Sequence, residues 1–286
     1  MSQIETNGAS LQDINGTQRL PARLSLTQVE TYRREGYLIV PEPVLPDDAF
    51  ARLCRTFESI LADLPEDKRP EDLDVPHLVH PELFEFLFHP SVLSLVTPFL
   101  GNDVALFSSH FICKPAADGK RVPWHQDSFY WRHLLSPMEV VTVWLAIDPS
   151  DDGNGAMRVV PRTHTNGDVG YEDADLTINT FPKEISRRYL DEAEARAVTC
   201  TLLPNHASLH DAVLFHGSEA NRSARRRCGY TMRFISAATK YNAEAGNYHQ
   251  IYLAHGQDRA GNRYGDPNVP RPDLIEARAH RIRRGH

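Results

Sequence analysis

From about residue 103 onward the chain is written in short apolar runs, each closed by Pro, Gly, Asn or Asp. Residues 104–114, 140–147, 156–160, 212–215 and 230–236 read as strands, and many short strands punctuated in this way suggest a sandwich or a barrel. The stretch from about 171 to 194 breaks the pattern. It is expected to be irregular or helical and to cover one mouth of the β core. No internal repeat or low-complexity tract is visible.

Ahead of this core the period changes. Residues 1–22 are polar, with scattered Gly, Asn, Ser and Gln, and read as a disordered leader. Thr27 and Glu30 have the spacing of a capping box, so a helix is expected to start there and to stop at Gly36. Residues 37–40 then form a short strand ended by Pro41. Pro46-Asp47-Asp48 opens a longer helix in which Phe50, Leu53, Cys54, Phe57, Leu61 and Leu64 recur at three- and four-residue spacing. Further helices are predicted over 81–88 and 92–100. The organisation expected is one catalytic domain over 23–286: a helical layer (23–102), a β-rich core (103–240), and an extension (241–286) rich in Gly, Asn, Pro and Arg.

A chain of 286 residues buries roughly three quarters of the surface its unfolded form exposes, so it needs no covalent staples. The four cysteines, Cys54, Cys113, Cys200 and Cys228, make no CxxC pair and read as reduced core thiols. A formal charge of −7 argues against a nucleic-acid partner, since such affinity comes largely from neutralising phosphates. The local run Arg222, Arg225, Arg226 and Arg227 reads as a solvated loop plus one inward arginine. There is no basic-then-apolar start and no apolar run near the roughly 20 residues of a membrane helix. No membrane partner is expected, and cytoplasm is the expected location. Oligomeric state is not readable.

The sharpest chemical signal is Trp124-His125-Gln126-Asp127. In an extended segment residues two apart share a face, so His125 and Asp127 can reach one metal ion together. A third donor is supplied by Asp211-Ala212-Val213-Leu214-Phe215-His216-Gly217-Ser218, read as an apolar strand that ends in a histidine at a sheet edge. Two histidines and one carboxylate on one face of an octahedron leave three positions open, the arrangement of iron(II) oxygenases. Arg227 follows eleven residues after His216 and opens the next strand. A 2-oxo acid that chelates iron needs its far carboxylate held, and the planar fork of arginine does this best.

These segments occur in an order that resembles the phytanoyl-CoA dioxygenase family of iron- and 2-oxoglutarate-dependent oxygenases, over roughly residues 26–240. The resemblance rests on the opening YRREGYLIV at 32–40, Cys113-Lys114-Pro115, Trp124-His125-Gln126-Asp127, Val143-Trp144-Leu145-Ala146, Asn154-Gly155-Ala156-Met157 leading to Pro161-Arg162-Thr163-His164, His216-Gly217-Ser218, and Arg227. It implies a mainly β fold with flanking helices around a double-stranded β-helix, a cupin-like jelly roll. It also implies Fe(2+), 2-oxoglutarate and O2. His125, Asp127 and His216 would be the metal ligands, Arg227 and Ser218 the grip on the C5 carboxylate, and Trp144 a wall of the cosubstrate pocket. His110 stands where relatives contact 2-oxoglutarate, often with Gln or Met. Asp127 occupies the position that family halogenases replace with a small residue, which favours hydroxylation or a related oxidation of a small-molecule substrate, with release of succinate and CO2.

Strand alternation places Ser108, His110, Ile112 and Lys114 on one face, and Thr142 with Trp144. If those faces are inward, His110 and Thr142 reach the cosubstrate; packing is the bland alternative. Tyr130 and Trp131 are candidates for a substrate wall. Arg233, on the same face as Arg227, meets an acidic substrate or pairs with a carboxylate. His77, with His80, precedes a helix and is expected to overhang the mouth. His164 reads as structural. Two rival readings remain: a cupin-like metal enzyme without 2-oxoglutarate, and a non-catalytic jelly-roll binding module. Arg227 speaks against the first and the complete donor triad against the second.

Overall fold

The long strand Arg227–Ser236 shows how the architecture arises. Cys228, Tyr230, Met232 and Phe234 are fully buried on one of its faces, while Arg227, Gly229, Thr231 and Arg233 alternate with them on the other. Such a strand needs apolar cover on one side and an enclosed polar space on the other. A computed structural model, which describes residues 20–283, supplies both.

In chain order the main strands are β1 Tyr37–Val40, β2 Val104–Lys114, β3 Val122–His125, β4 Val140–Ala146, β5 Met157–Val159, β6 Val198–Thr199, β7 Ala207–Asp211, β8 His216–Ser218, β9 Arg227–Ser236 and β10 Tyr252–His255. They form a six-stranded sheet in the order β1-β7-β4-β9-β2-β10 and a four-stranded sheet in the order β3-β8-β5-β6, antiparallel throughout. The two face each other as a jelly roll, and side chains from both line the space between.

Helices cover the outer face of the large sheet. They include α1 Leu26–Glu35, α2 Asp47–Ala62, α3 Pro90–Leu100 and α4 Pro272–Arg283. Leu53 and Phe57 of α2, Leu95 and Val96 of α3, and Phe111, Tyr230, Met232 and Phe234 of the sheet share one apolar cluster. Burying each such side chain stabilises by about 1.5–3 kcal/mol, which fixes the sheet as a platform for the opposite face.

Several boundaries differ from the expectation. The cap of α1 is Ser25, boxed with Gln28, rather than Thr27 with Glu30. Both pairs have the right spacing, but Ser25 also puts Leu24 and Val29 at the positions flanking the cap, and both join the core. Gly36 ends the helix in the left-handed region at φ 80°, where a Cβ would meet His164 and Leu214. The helix expected over 81–88 is split into Pro81–Leu83 and Phe84–Leu87. The run 212–215 is a corner rather than a strand. Asp211 accepts from the Val213 amide through its side chain and from the Leu214 amide through its carbonyl, so the chain turns from β7 in one sheet to β8 in the other. The segment expected to be irregular contains a hairpin, Tyr171–Asp173 with Lys183–Ile185, and a helical turn, Arg187–Leu190. The extension expected over 241–286 is woven in. Its β10 forms the edge of the large sheet, and Leu274 and Ile275 of α4 reach the core.

The leader expected over 1–22 falls, but for its last three residues, outside the described residues. All four cysteines are free; three are buried and Cys54 is half-buried. Among the described residues no single helix is long and apolar enough to cross a membrane.

Candidate metal centre

His125 and His216 are register partners across β3 and β8, with ring centroids 4.1 Å apart. Each ring is set by its own backbone: Nδ1 of His125 lies 2.8 Å from the Pro123 carbonyl and Nδ1 of His216 lies 3.0 Å from the Leu214 carbonyl. A carbonyl only accepts, so each Nδ1 carries a proton, which makes Nε2 the metal-facing nitrogen of each ring. Both Nε2 atoms face Asp127 Oδ1, at 3.6 Å and 3.9 Å. The three donor atoms lie within 4.8 Å of one another, close enough to share one metal ion.

Asp127 reaches this point from a different backbone than expected. The strand stops at His125, and Asp127 is helical in φ and ψ, heading the turn Ser128–Trp131. Gln126 explains how the turn is held. Its side-chain amide donates to the carbonyls of Gly167 and Val213, its backbone amide donates to the Tyr171 hydroxyl, and Ser128 N donates to Ala212 O. The segment carrying Asp127 is thereby fastened to the corner that precedes His216.

The second carboxylate oxygen, Oδ2, lies 3.7 Å from His210 Nε2 and 3.6 Å from Arg233 Nε, beyond ordinary hydrogen-bond length. Burial pushes the Asp127 carboxyl up, but Arg233 and the histidines outweigh it and hold the group well below the usual carboxylate range. Burial, reinforced by His125 and His210, pushes His216 well below the usual imidazole range. The set is therefore one anion and neutral imidazole, the protonation that a divalent ion requires.

Farther along the cavity lies Arg227, 1% exposed. Its guanidinium donates to the carbonyls of Gly155 and Ile112 and to Ser218 Oγ at 3.2 Å, and it lies over the Trp144 ring at 5.4 Å. No carboxylate of the described residues meets it, and burial pulls it down to about 10. Opposite the Trp144 ring is Gly229, where a Cβ would come within 2.2 Å of it. Lys114 donates to the carbonyls of Ser218 and Glu219 and so braces the loop behind Arg227.

The cavity brings together His125, His216, Trp144, Ser218, Arg227 and Arg233 of the expected residues. Others are placed elsewhere. His110 is on the inward face, but its ring is engaged at the rim by Glu71 O at 3.3 Å and Asp74 at 3.5 Å, so it does not line the cavity. Thr142 lies in register between His210 and Arg233 and is fully buried beneath them. Tyr130 presents its ring to His125 at 6.2 Å and to Phe181 at 5.8 Å, beside the cavity. Trp131 packs against Phe107 and under the Arg233 guanidinium. His77 does not overhang the mouth. It is 1% exposed on the opposite side of the large sheet, bonded to Ser109 Oγ at 2.7 Å and packed against Phe84 and Tyr252, and burial drives it down to about 3. His164 Nε2 donates to the Arg33 carbonyl near the end of α1, a structural contact.

Sequence reasoning missed His210, Phe181, Met157 and Thr231, all of which line the cavity. His210 was legible in principle. Ala207-Ser208-Leu209-His210 alternates apolar and polar, which makes it a strand with an inward histidine once the following run is seen as a corner.

Comparison with known proteins gives a consistent picture. A family model described as Phytanoyl-CoA dioxygenase (PhyH) matches residues 32–229. Peroxisomal phytanoyl-CoA dioxygenase of Rattus norvegicus is 24% identical over 270 residues, covering 85% of this chain and 77% of that protein. Among solved structures, the non-heme monooxygenase ThoJ in its apo form superposes with TM-score 0.68 at 22% identity, over 90% of this chain and 95% of that one. The epimerase SnoN, in complex with Fe3+, alpha ketoglutarate and nogalamycin RO, does so with TM-score 0.64 at 21% identity, over 76% and 85%. The chain belongs to the phytanoyl-CoA dioxygenase family.

Proposed function

We propose that this protein is an iron(II)- and 2-oxoglutarate-dependent dioxygenase that oxidises a C–H bond of a small molecule, with residues 23–286 as one catalytic domain. His125, Asp127 and His216 hold the metal; Arg227 and Ser218 hold the distal carboxylate of 2-oxoglutarate. The observation that carries this reading is the convergence of two backbone-locked Nε2 atoms on one carboxylate oxygen. Support comes from membership of the family and from SnoN, a neighbour crystallised with iron and alpha ketoglutarate.

The donor set suits iron(II), since two imidazoles and one carboxylate leave positions for a bidentate 2-oxo acid and dioxygen. When bound, the metal and its cosubstrate supply the oxidising chemistry, with succinate and CO2 as coproducts. The protein's own part is placement. Pro123 and Leu214 carbonyls fix the two imidazole planes. Arg227 offers a charge with only neutral partners, a site that gains when a carboxylate arrives. Trp144 closes the wall beside it, and Phe181 brings the segment between the hairpin strands over the cavity and excludes water. The presence of Asp127, rather than a small residue that would admit halide, supports hydroxylation or a related oxidation over halogenation.

Anaerobic titration with iron(II) and 2-oxoglutarate tests the reading. A visible metal-to-ligand charge-transfer band is expected. Iron binding without that band on adding 2-oxoglutarate would favour a cupin-like metal enzyme of another kind, and no iron binding would favour a binding module.

A further inference from the structure

Arg233 is the second cation of the cavity, and beyond its field on Asp127 the proposed chemistry gives its donors no partner. It is 9% exposed and lines the cavity wall, yet it makes no hydrogen bond to any described residue, and its Nε is buried without a partner. This contrasts with Arg226, just ahead of the strand, and Arg227, its first residue. Arg226 is paired with Glu58 and Asp148, and Arg227 is tied to two carbonyls and a hydroxyl. The nearest carboxylate to Arg233 is Asp127, whose Oδ2 stands 3.6 Å off and is shared with His210. A buried guanidinium left this way is costly unless an anion completes it.

The side chain is also held in position. Its guanidinium lies over the Trp131 ring at 5.2 Å, which fixes the plane of the fork without using its donors. Thr142 supports it from below across the strand pair. Charge gives the valence of the missing partner. The charged groups bordering the cavity are Arg227, Arg233 and Asp127. With a divalent ion and the doubly charged 2-oxoglutarate in place, one positive charge is left over. A monoanion cancels it; a dianion overshoots.

We propose that Arg233 is a specificity-determining residue that binds the carboxylate of the substrate, so that the protein acts on a small monocarboxylic acid. This rests on the iron and 2-oxoglutarate reading. The acid head is received between Arg233 and His210, and the remainder of the molecule lies against Phe181, which lines the same cavity. Thr231, the inward residue between Gly229 and Arg233, shares the wall, but its hydroxyl already donates to the His110 carbonyl, so the acid head is left to Arg233 and His210.

The test uses the full chain loaded anaerobically with iron(II) and 2-oxoglutarate, and pairs of probes matched in shape: benzoate with benzamide, and hexanoate with hexanamide. Binding is read as a shift of the charge-transfer band. The expected result is that at least one acid binds about tenfold or more tighter than its amide, the usual gain from a charge-assisted bidentate contact. Arg233→Gln should bring that ratio to about one, and Arg233→Lys should restore part of it, while the 2-oxoglutarate titration stays as in the parent. The proposal is overturned by equal binding of acid and amide, by failure of every acid to bind at millimolar concentration, or by bleaching of the band, which would mean displacement of 2-oxoglutarate. It is also overturned if Arg233→Gln weakens iron or 2-oxoglutarate binding but keeps the acid preference, since Arg233 would then serve Asp127 or the cosubstrate. Absence of the band in the parent protein would instead defeat the underlying reading.

Discussion

On β9, Cys228, Tyr230, Met232 and Phe234 enter the core beneath the helices, while the residues between them, Arg227, Thr231 and Arg233, border the cavity. One strand thus serves two solvents. On the helical side Tyr230 donates to Ser109 and the same Ser109 hydroxyl meets His77 Nδ1, and the unpartnered atoms, His77 Nε2 and Tyr32 Oη, are uncharged and scattered. On the cavity side Asp127 Oδ2, His210 Nδ1, Thr142 Oγ1 and Arg233 Nε are buried together without hydrogen-bond partners among the described residues. Native proteins leave few such atoms, so their gathering on one face points to an occupant, whereas Phe111, Met232 and Phe234 opposite them need nothing more. The lesson is that stability and chemistry have been assigned to opposite sides of one sheet, and substitutions should separate accordingly.

The largest effect is expected on the cavity side with no cost to the other. His125→Ala or His216→Ala should abolish oxidation and iron(II) binding by calorimetry, while the unfolding midpoint of the metal-free protein changes by no more than a few degrees. Normal turnover with stoichiometric iron by either variant would remove that histidine from the metal. The mirror experiment is Phe234→Ala. That side chain is fully buried in the helical-side cluster, and its truncation should cost about 3–5 kcal/mol in denaturant unfolding. Below the transition the variant should still bind iron(II) with parental stoichiometry. Loss of iron binding at constant fold would mean that the two faces are coupled.

Arg227→Ala comes next. A hydrogen bond to a charged group is worth about 1.5–3 kcal/mol, so the 2-oxoglutarate needed for half-saturation should rise about tenfold or more. Stability without cosubstrate should fall only modestly, because the loss of the bonds to Gly155, Ile112 and Ser218 is offset in part by removing a buried cation that lacks a counter-charge. Iron affinity measured without 2-oxoglutarate should hold.

The sequence reading succeeded where chemistry and local period agreed. The boundaries of β2 followed from punctuation, and residue type singled out His125, Asp127 and His216, which converge although Asp127 stands on a helical turn rather than the extended segment expected. It failed where the determinant was long-range. The corner at 212–214 is as apolar as a strand because it is buried between sheets, so composition could not reveal the turn that Asp211 makes. His77 has the flanking residues of a surface turn, and long-range packing encloses it, by Ser109 of β2 and by Tyr252 of β10 in the stretch read only as an extension. His110 was given the correct face, but the segment carrying Glu71 and Asp74 reaches it from some 36 to 39 residues away and closes it off. Phe181 sits in a hairpin loop whose position depends on the cavity it covers.

The smallest effect tests the comparison at its narrowest point, between neighbours. Arg226 and Arg227 are adjacent, both cationic, and separated only by alternation. Arg226 points to the helical side, where it pairs with Glu58 of α2 and with Asp148 and lies over the Phe57 ring at 5.0 Å. Its side chain is 28% exposed, so water and salt screen these pairs in part. Arg226→Ala is therefore expected to cost about 1 kcal/mol, a fall of roughly 2–4 °C in Tm for a chain of this size. The loss should shrink as salt is added, since screening weakens the parent's pairs and leaves the variant little to lose. The 2-oxoglutarate requirement should not move. Arg225→Ala, which loses only a pair with Asp151 at the surface, should do less still. If Arg226→Ala raised the 2-oxoglutarate requirement and Arg227→Ala did not, the alternation of β9 would be shifted by one residue, and each assignment made from its faces, Arg233 included, would move with it.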